Sequence, residues 1–247
     1  MIFANGNFWG RTIAACGSSD DPDRFRRFGP FGGLEFHLVD YNDLNALEKE
    51  LKHPHTAAFM VEPIQGEAGI YIPDEGYLKG VRELCTKHNV LMIADEVQTG
   101  IGRTGRLLAS EWENVRPDMV CLGKSLGGGF MPVSAVLADD EVMLNIKAGE
   151  HGSTFGGNPL ACRIGMKCLE LLEKENMVEN SAKMGKYMLR KMREMTADKD
   201  FVAEVRGRGL FTAIEIHNTA DITAMEITLR LMDLGLLAKP THENIIR

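Results

Sequence analysis

Three predicted strands in this chain end in side chains that could take part in acid–base or nucleophilic chemistry. Glu62 and Asp95 each follow a short apolar run, and Lys124 comes just after a third. Ligands of open parallel sheets bind beyond the carboxyl ends of the strands, so we expect these groups to share one cleft. An acid and a lysine in such positions could equally form a structural ion pair, and their positions alone leave both possibilities open.

The sequence around Lys124 favours a pocket for an aromatic aldehyde. Asp95 begins the run Asp-Glu-Val-Gln-Thr-Gly, and Lys124 follows 29 positions later (124 − 95), between Gly123 and the glycines at 127–129. A lysine that forms an imine must lose its proton, which a dry pocket and nearby positive charge promote. Pyridoxal phosphate also needs an acid that keeps its pyridine nitrogen protonated. Lys124 and Asp95 are the predicted pair for these two tasks.

The elements that must position this pair alternate between strands and helices. Apolar runs at 57–61, 90–94, 118–122 and 133–137 have the length and composition of buried strands. Apolar residues recur at helical spacing over 76–88, between the first two runs. This alternation predicts an α/β fold with a mostly parallel sheet covered by helices.

The character of the chain changes near residue 175, and we predict two domains, 1–174 and 175–247. Before the boundary, Asn158 and Pro159 form a good helix start, with a capping side chain and proline at the first helical position. Beyond it, the pattern predicts a helix, two strands and a second helix at 181–195, 202–205, 210–216 and 224–234.

Methionines recur along one stripe of the helix predicted over 181–195. A stripe at this spacing is far more often part of a hydrophobic core than of a cofactor site. We therefore expect these side chains to face a core: Met184, Met188, Met192 and Met195.

Composition and charge argue against several other classes of protein. Hydrophobic residues make up 44% and charged residues 26% of the 247, which is typical of a globular protein and not of a disordered one. A net charge of −7 argues against a general nucleic-acid binder. No apolar run approaches the ~18 residues of a membrane span. Five cysteines without a CxxC pair and seven histidines without ligand spacing predict a reducing compartment and no metal site.

Several stretches, in order and in spacing, resemble the signature of the class-III pyridoxal-phosphate-dependent aminotransferases. They lie at 95–100, 103–105, 117–132 and 150–159. The resemblance implies the aspartate-aminotransferase-like fold type I, in which helices sandwich a mostly parallel sheet, plus a partial small C-terminal α/β domain. A nucleotide-binding Rossmann protein is the weaker alternative, because no G-x-G-x-x-G follows a strand.

The resemblance also implies a role for each matching residue around the cofactor, pyridoxal 5'-phosphate. Lys124 carries the cofactor and shuttles a proton between it and the substrate, and Asp95 pairs with the pyridine nitrogen. Val97 packs on one face of the ring and Phe8 stacks on the other. Gln98 donates a hydrogen bond to the phenolic oxygen.

Ser153 and Thr154 imply a homodimer with a shared active site, or a higher oligomer built from it. In this family the matching residues reach the phosphate of the neighbouring subunit. A capping turn before the helix at Asn158 would use the same residues and is compatible with that role.

The candidate substrate-binding residues resemble those of the ornithine branch of the family. Trp9 lies in the stretch 6–12, where relatives such as the acetylornithine enzymes usually carry histidine. Arg11 would clamp a substrate carboxylate through the bidentate geometry of its guanidinium. Glu67 would pair with Arg247 to accept the cationic end of ornithine and would release it to accept 2-oxoglutarate. An ordinary ion pair would have the same sequence.

The implied reaction transfers the δ-amino group of L-ornithine to 2-oxoglutarate, giving L-glutamate 5-semialdehyde and L-glutamate. Acetylornithine or 4-aminobutyrate aminotransfer is the alternative within the family, and an inactive protein that retains the fold is a third hypothesis. The family's phosphate-binding glycine turn and the tyrosines of its ornithine pocket have no counterpart in 1–247. We therefore expect a fragment that binds the cofactor weakly. Animal members imply the mitochondrial matrix, and the cytoplasm is the alternative.

Overall fold

The computed structural model describes residues 1–33, 35–217 and 221–247. Its larger sheet contains six strands: β1 (Ile2–Ala4), β2 (His37–Val39), β3 (Ala58–Val61), β4 (Leu91–Asp95), β5 (Met119–Leu122) and β6 (Ala135–Ala138). Their order across the sheet is β2-β1-β3-β4-β5-β6. Every neighbouring pair is parallel except β5 and β6, which are antiparallel. The predicted mostly parallel sheet is therefore confirmed.

Helices connect and cover these strands. They are α1 (Ile13–Gly17), α2 (Pro22–Phe25), α3 (Leu44–Leu51), α4 (Tyr77–Lys87), α5 (Asp140–Met143), α6 (Pro159–Lys174), α7 (Met177–Thr196) and α8 (Ala224–Asp233). The predicted start of α6 is confirmed, because the Asn158 side chain accepts a hydrogen bond of 2.9 Å from the Ala161 N–H. Proline occupies the first position of that helix, where it leaves no hydrogen bond unmade.

The main hydrophobic core lies where α3 and α4 pack on the central strands. Leu47 of α3 and Val81 of α4 are fully buried, as is Phe59 of β3. Full burial of a side chain of this size contributes about 1.5–3 kcal/mol to stability. The central strands are apolar on both faces because both are covered. This packing fixes the ends of β3 and β4, from which polar side chains emerge.

A second sheet, in the C-terminal third of the chain, consists of β7 (Val202–Arg208), β8 (Phe211–Ile216), β9 (Pro240–Thr241) and β10 (Ile245–Ile246). Its order is β7-β8-β10-β9, and all its pairs are antiparallel. Helix α7 also contacts a loop of the first sheet, because the Ser181 hydroxyl donates to the Arg103 carbonyl at 2.9 Å. The division into domains at 174 and 175 stays a prediction.

The expectation that the α7 methionines face a core was wrong for three of the four. Met184, Met188 and Met195 are 39%, 42% and 72% exposed. The buried face of α7 is formed instead by Ser181 and Gly185. A side chain at Gly185 would collide with the backbone at Gly209, so the close approach turns the small residues inward and the methionines outward.

The described ranges lack two features, a membrane-spanning helix and a group of side chains arranged to hold a metal ion. No helix there is long and apolar enough to cross a membrane. No group of three histidine, cysteine, aspartate or glutamate side chains among residues 1–33, 35–217 and 221–247 is arranged to hold a metal ion.

Candidate active site

Three neighbouring parallel strands bring Glu62, Asp95 and Lys124 to one cavity. β3, β4 and β5 run in the same direction, so the residues at or after their carboxyl ends emerge along one edge of the sheet. The cavity has a volume of about 160 Å³. Besides Glu62 and Trp9, its wall includes five of the predicted cofactor residues: Phe8, Asp95, Val97, Gln98 and Lys124.

Asp95 is a buried carboxylate that makes no salt bridge with any described residue. Its Oδ1 accepts a hydrogen bond of 3.0 Å from the Val97 N–H. Burial raises the pKa of Asp95, while this hydrogen bond and the charge of Lys124 lower it to a smaller extent. A buried carboxylate without a counter-ion favours a cation in the cavity beside it. A protonated ring nitrogen would meet that need.

Lys124 lines the cavity and lies on a strained piece of backbone. It follows Gly123 and begins a short 3-10 helix, Lys124–Gly127, with a φ of 42°. A non-glycine residue in this left-handed region costs about 1–3 kcal/mol, and such strain is concentrated at functional sites. Desolvation against the cavity wall lowers the pKa of the amine, although the negative charges of Glu67 and Asp95 oppose the shift. A lowered pKa favours the neutral, nucleophilic amine.

Glu62 lies in the cleft, as predicted, but no specific role was predicted for it. Its Oε1 accepts the Phe8 N–H and its Oε2 accepts the Gly66 N–H, both at 2.9 Å. Burial raises the pKa of Glu62 to about 8, against the effect of these two hydrogen bonds and of Lys124. The carboxyl group therefore ties the loop of Phe8 to the loop that follows β3. An acid directly after a fully buried strand was the available signal, since such a group needs buried partners.

A second cavity, of about 450 Å³, adjoins the first and shares Gln98 and Lys124 with it. Its wall includes Glu67, Lys239 and Arg247. The amide of Gln98 lies between the two spaces, and its Nε2 donates to Glu67 Oε1 at 3.4 Å. A group held by Asp95 and Lys124 would therefore have a charged compartment next to it.

The predicted ion pair of Glu67 with Arg247 is present. Arg247 Nη2 lies 2.5 Å from Glu67 Oε2, and its Nη1 donates to the Gly66 carbonyl at 3.0 Å. Partial burial raises the pKa of Glu67, but hydrogen bonds from Arg247 and Lys239 outweigh it and hold the pKa at about 2. Glu67 is therefore ionised and paired at neutral pH. Its role as a switch stays a prediction.

Of the two predicted substrate residues in the loop after β1, Trp9 lines the cavity and Arg11 does not. Trp9 reaches the cavity, where its ring stacks on Phe3 at 5.3 Å and its Nε1 donates to Ser18 Oγ at 2.8 Å. Arg11 is exposed and lines neither cavity, with its guanidinium carbon 5.6 Å from the centre of the Phe8 ring. Arg11 makes no salt bridge within the described part of the chain, so its side chain is available to a ligand carboxylate.

Ser153 and Thr154 are not brought to this site. Both are exposed and line neither cavity. The Ser153 hydroxyl accepts a hydrogen bond of 3.0 Å from the Gly156 N–H, which matches the expected turn before α6. Their contact with the phosphate of a neighbouring subunit stays a prediction.

Comparison with known proteins identifies the family. The family model for aminotransferase class-III matches residues 1–247. The chain belongs to the class-III aminotransferases. It is 60% identical over 247 residues to the mitochondrial ornithine aminotransferase of Rattus norvegicus, covering all of this chain and 56% of that protein. It is 51% identical to the ornithine aminotransferase of Oceanobacillus iheyensis over 248 residues, covering all of this chain and 60% of that protein.

Solved structures agree with this assignment. An ornithine aminotransferase from Toxoplasma gondii ME49 matches with a TM-score of 0.97 and 46% identity, covering all of this chain and 58% of that one. The predicted fold type I is confirmed by such neighbours. The chain thus spans little more than half the length of the relatives that it matches.

Class-III aminotransferases use pyridoxal phosphate, and the residues of the cavity fit this cofactor. Asp95 offers the unpaired carboxylate that a pyridine nitrogen needs, and Lys124 offers an amine at the same cavity. Two glycines leave room for the side chains of Gln98 and Val97, which also line the cavity. A Cβ at Gly66 would meet the Gln98 amide at 2.4 Å, and one at Gly123 would press on Val97 at 3.3 Å.

Proposed function

We propose that the chain provides the catalytic core of an ornithine aminotransferase, which moves the δ-amino group of L-ornithine to 2-oxoglutarate. The products are L-glutamate 5-semialdehyde and L-glutamate. The Glu67–Arg247 ion pair, in the cavity next to Lys124, is the observation that carries the proposal. Relatives named ornithine aminotransferases, which match all of this chain at 47–60% identity, support it.

When bound, pyridoxal phosphate supplies an electron sink that stabilises negative charge on the substrate carbon. The buried carboxylate of Asp95 would keep a proton on the ring nitrogen. Val97 and Phe8 would hold the ring, and Gln98 would donate a hydrogen bond to its phenolic oxygen. The Lys124 amine would accept the proton of the substrate δ-carbon, because its lowered pKa favours the neutral form that can take one up.

The charged compartment explains how one site could accept two unlike substrates. With Glu67 and Arg247 paired, their charges cancel, and the site can take the cationic end of ornithine, while Arg11 clamps the substrate carboxylate. When Arg247 turns from Glu67, its guanidinium can bind a carboxylate of 2-oxoglutarate in a bidentate manner. The same residues therefore serve both half-reactions.

A homodimer with a shared active site belongs to the proposal. Ser153 and Thr154 are exposed and away from the cavity of their own chain, as residues that serve a partner would be. Two large apolar side chains, Phe130 and Phe155, are 89% and 82% exposed and would be covered at such an interface. Sedimentation of the cofactor-loaded protein should give the mass of a dimer or a multiple of it.

The mitochondrial matrix is the proposed location if the chain comes from an animal. The names of the relatives from rat, worm and fly include the word mitochondrial, whereas the name of the relative from Oceanobacillus iheyensis does not. Fractionation of the source cells, with the protein followed by antibody, would separate this location from the cytoplasm.

Acetylornithine aminotransfer is the second candidate, because a structure of that name from Elizabethkingia anophelis matches with a TM-score of 0.84 and 46% identity. Single-turnover rates of the holoenzyme with L-ornithine, N-acetylornithine and 4-aminobutyrate decide between the candidates. We expect ornithine to react at least about tenfold faster, a difference of ~1.4 kcal/mol. A preference for N-acetylornithine would overturn the proposal, and Lys124→Ala provides the blank.

A further inference from the structure

We propose that Lys239 is a positioning residue that holds the Glu67 carboxylate when Arg247 turns away from it. This inference rests on the proposed function and deepens it. Lys239 has no part in the predicted ion pair, yet its Nζ donates to Glu67 Oε2 at 3.0 Å. The same oxygen is the partner of Arg247 Nη2. One carboxylate oxygen thus has two cations, and only one of them needs to leave.

The backbone places the two cations side by side. Lys239 and Arg247 exchange both backbone hydrogen bonds, Lys239 N–H to Arg247 carbonyl at 2.8 Å and Arg247 N–H to Lys239 carbonyl at 3.0 Å. Residues that exchange both bonds lie directly opposite each other in an antiparallel ladder, and their side chains leave the same face. Both side chains therefore point toward Glu67 from neighbouring segments beside β9 and β10.

The Glu67 loop also has hydrogen bonds that do not involve the two cations. The Thr241 hydroxyl donates to the Glu67 carbonyl at 2.8 Å, and Gln98 donates to Glu67 Oε1. Neither of these two hydrogen bonds has to break when Arg247 moves. The Glu67 side chain is only 19% exposed, so without any partner it would be a poorly solvated, unpaired charge.

The two cations differ in exposure, so Arg247 suits binding of the substrate and Lys239 suits holding of the Glu67 carboxylate. The Arg247 side chain is 9% exposed and lies in the compartment, where it can reach a substrate. The Lys239 side chain is 63% exposed, on a flexible stem that can follow the carboxylate. With Lys239 in place, opening exchanges a doubly paired Glu67 for a singly paired one, and the cost of admitting a dicarboxylate falls.

The alternative is that Lys239 and Glu67 form an ordinary exposed ion pair, which would contribute almost nothing to the binding of a dicarboxylate. The holoenzyme with Lys239→Met separates the two. Binding of glutarate, a dicarboxylate that cannot react, is measured by calorimetry. We expect Lys239→Met to raise the Kd for glutarate about tenfold, between the values typical of exposed and buried pairs. Lys239→Arg should restore the affinity, because it restores the cation.

Kinetics of the two half-reactions give a readout that a purely structural role would not move. In Lys239→Met, the ratio of kcat/KM for ornithine to kcat/KM for 2-oxoglutarate should rise by about the same tenfold factor. Lys199→Met is the matched control, because Lys199 is also an exposed lysine paired with a carboxylate, that of Asp198. It should leave the ratio unchanged.

Three results would overturn the inference: glutarate binding that is unchanged in Lys239→Met, glutarate binding that Lys239→Arg fails to restore, or no glutarate binding by the unmodified holoenzyme. Failure of the proposed function has a different signature, in which the unmodified holoenzyme does not react with ornithine. The glutarate measurement needs no turnover and tests Lys239 in either case.

Discussion

Glu67 and Arg247 meet in the cavity that also contains Lys124, although 180 positions (247 − 67) separate them in the sequence. Glu67 belongs to the loop after β3 of the first sheet, and Arg247 follows β10 of the second. Their contact of 2.5 Å therefore joins the two sheets at the wall of that cavity.

Glu67→Gln should change the choice between substrates. Without a negative partner, Arg247 is permanently free for a dicarboxylate and repels the cationic end of ornithine. We expect kcat/KM for ornithine relative to that for 2-oxoglutarate to fall at least about tenfold, a difference of ~1.4 kcal/mol. Glu83→Gln, an exposed acid on α4, is the control and should leave the ratio unchanged. An unchanged ratio in Glu67→Gln would mean that the pair is only structural.

Asp95→Asn should lose activity, whereas Glu96→Gln, at the neighbouring position, should lose stability. Asparagine can still accept the Val97 N–H but has no charge for a ring nitrogen, so we expect kcat to fall about 10²–10³-fold. Glu96 instead accepts the backbone N–H groups of Ala109 and Ser110 at 3.0 and 2.8 Å. Its loss should cost about 1–3 kcal/mol of stability.

Paired measurements of kcat and Tm on these two variants provide the check. Asp95→Asn should keep its Tm in the cofactor-free protein and lose activity, and Glu96→Gln should do the opposite for as long as it stays folded. Equal loss of activity at unchanged Tm would contradict the separate roles.

Glu62→Gln should change how stability depends on pH. The pKa of Glu62 is raised from its ordinary value of 4.5 to about 8 in the folded protein. Its contribution to stability is therefore fully present below 4.5 and is lost as the pH rises through about 8. Glutamine cannot titrate and leaves one backbone N–H without an acceptor, so the variant should be less stable at pH 5.

The deficit of Glu62→Gln should then shrink as the pH rises toward 8, because only the unmodified protein loses stability over that range. Urea unfolding at pH 5, 6, 7 and 8 measures it. Glu67 gives a contrast, since its pKa of about 2 confines its own loss of stability to pH values below about 4.5. A deficit that stays constant from pH 5 to 8 would show that burial does not raise the pKa of Glu62.

Gly209→Ala should loosen the contact between the second sheet and the loop that contains Thr104. A Cβ at Gly209 would lie 2.3 Å from the carbonyl carbon of Thr104, and Gly209 has a φ of 56°. We expect a loss of about 3 kcal/mol or more from crowding and strain together. Gly149 also has a positive φ, 89°, but open space around it, so Gly149→Ala should cost only about 1–2 kcal/mol. Similar losses in the two variants would rule out the close approach.

The meeting of Glu62, Asp95 and Lys124 at one edge of the sheet could be predicted from the sequence, because the local apolar pattern and the parallel topology agree there. The apolar runs before Glu62, Asp95 and Lys124 are typical of strands buried on both faces, and parallel strands bring such ends together. The direction of β6 could not be predicted, since an apolar run looks the same in a parallel and in an antiparallel strand. Arg247 was predicted through the resemblance to the family and not through its spacing.

Other features depend on register and packing, which composition does not encode. Lys239 faces Glu67 only because its backbone pairs with that of Arg247, and an exposed lysine in a loop carries no sign of this. The methionines of α7 have the spacing of a core stripe, but Gly185 allows a closer approach on the adjacent face and takes the buried position instead.

Borohydride reduction of the cofactor-loaded protein, followed by peptide mapping, tests the central claim most directly. The claim is that the Lys124 amine and the Asp95 carboxylate hold one aromatic aldehyde between them. We predict a single modified peptide that carries the reduced cofactor on Lys124, with Lys239 unmodified. Label on a different lysine, or none in protein that shows the absorbance of the cofactor, would contradict the account.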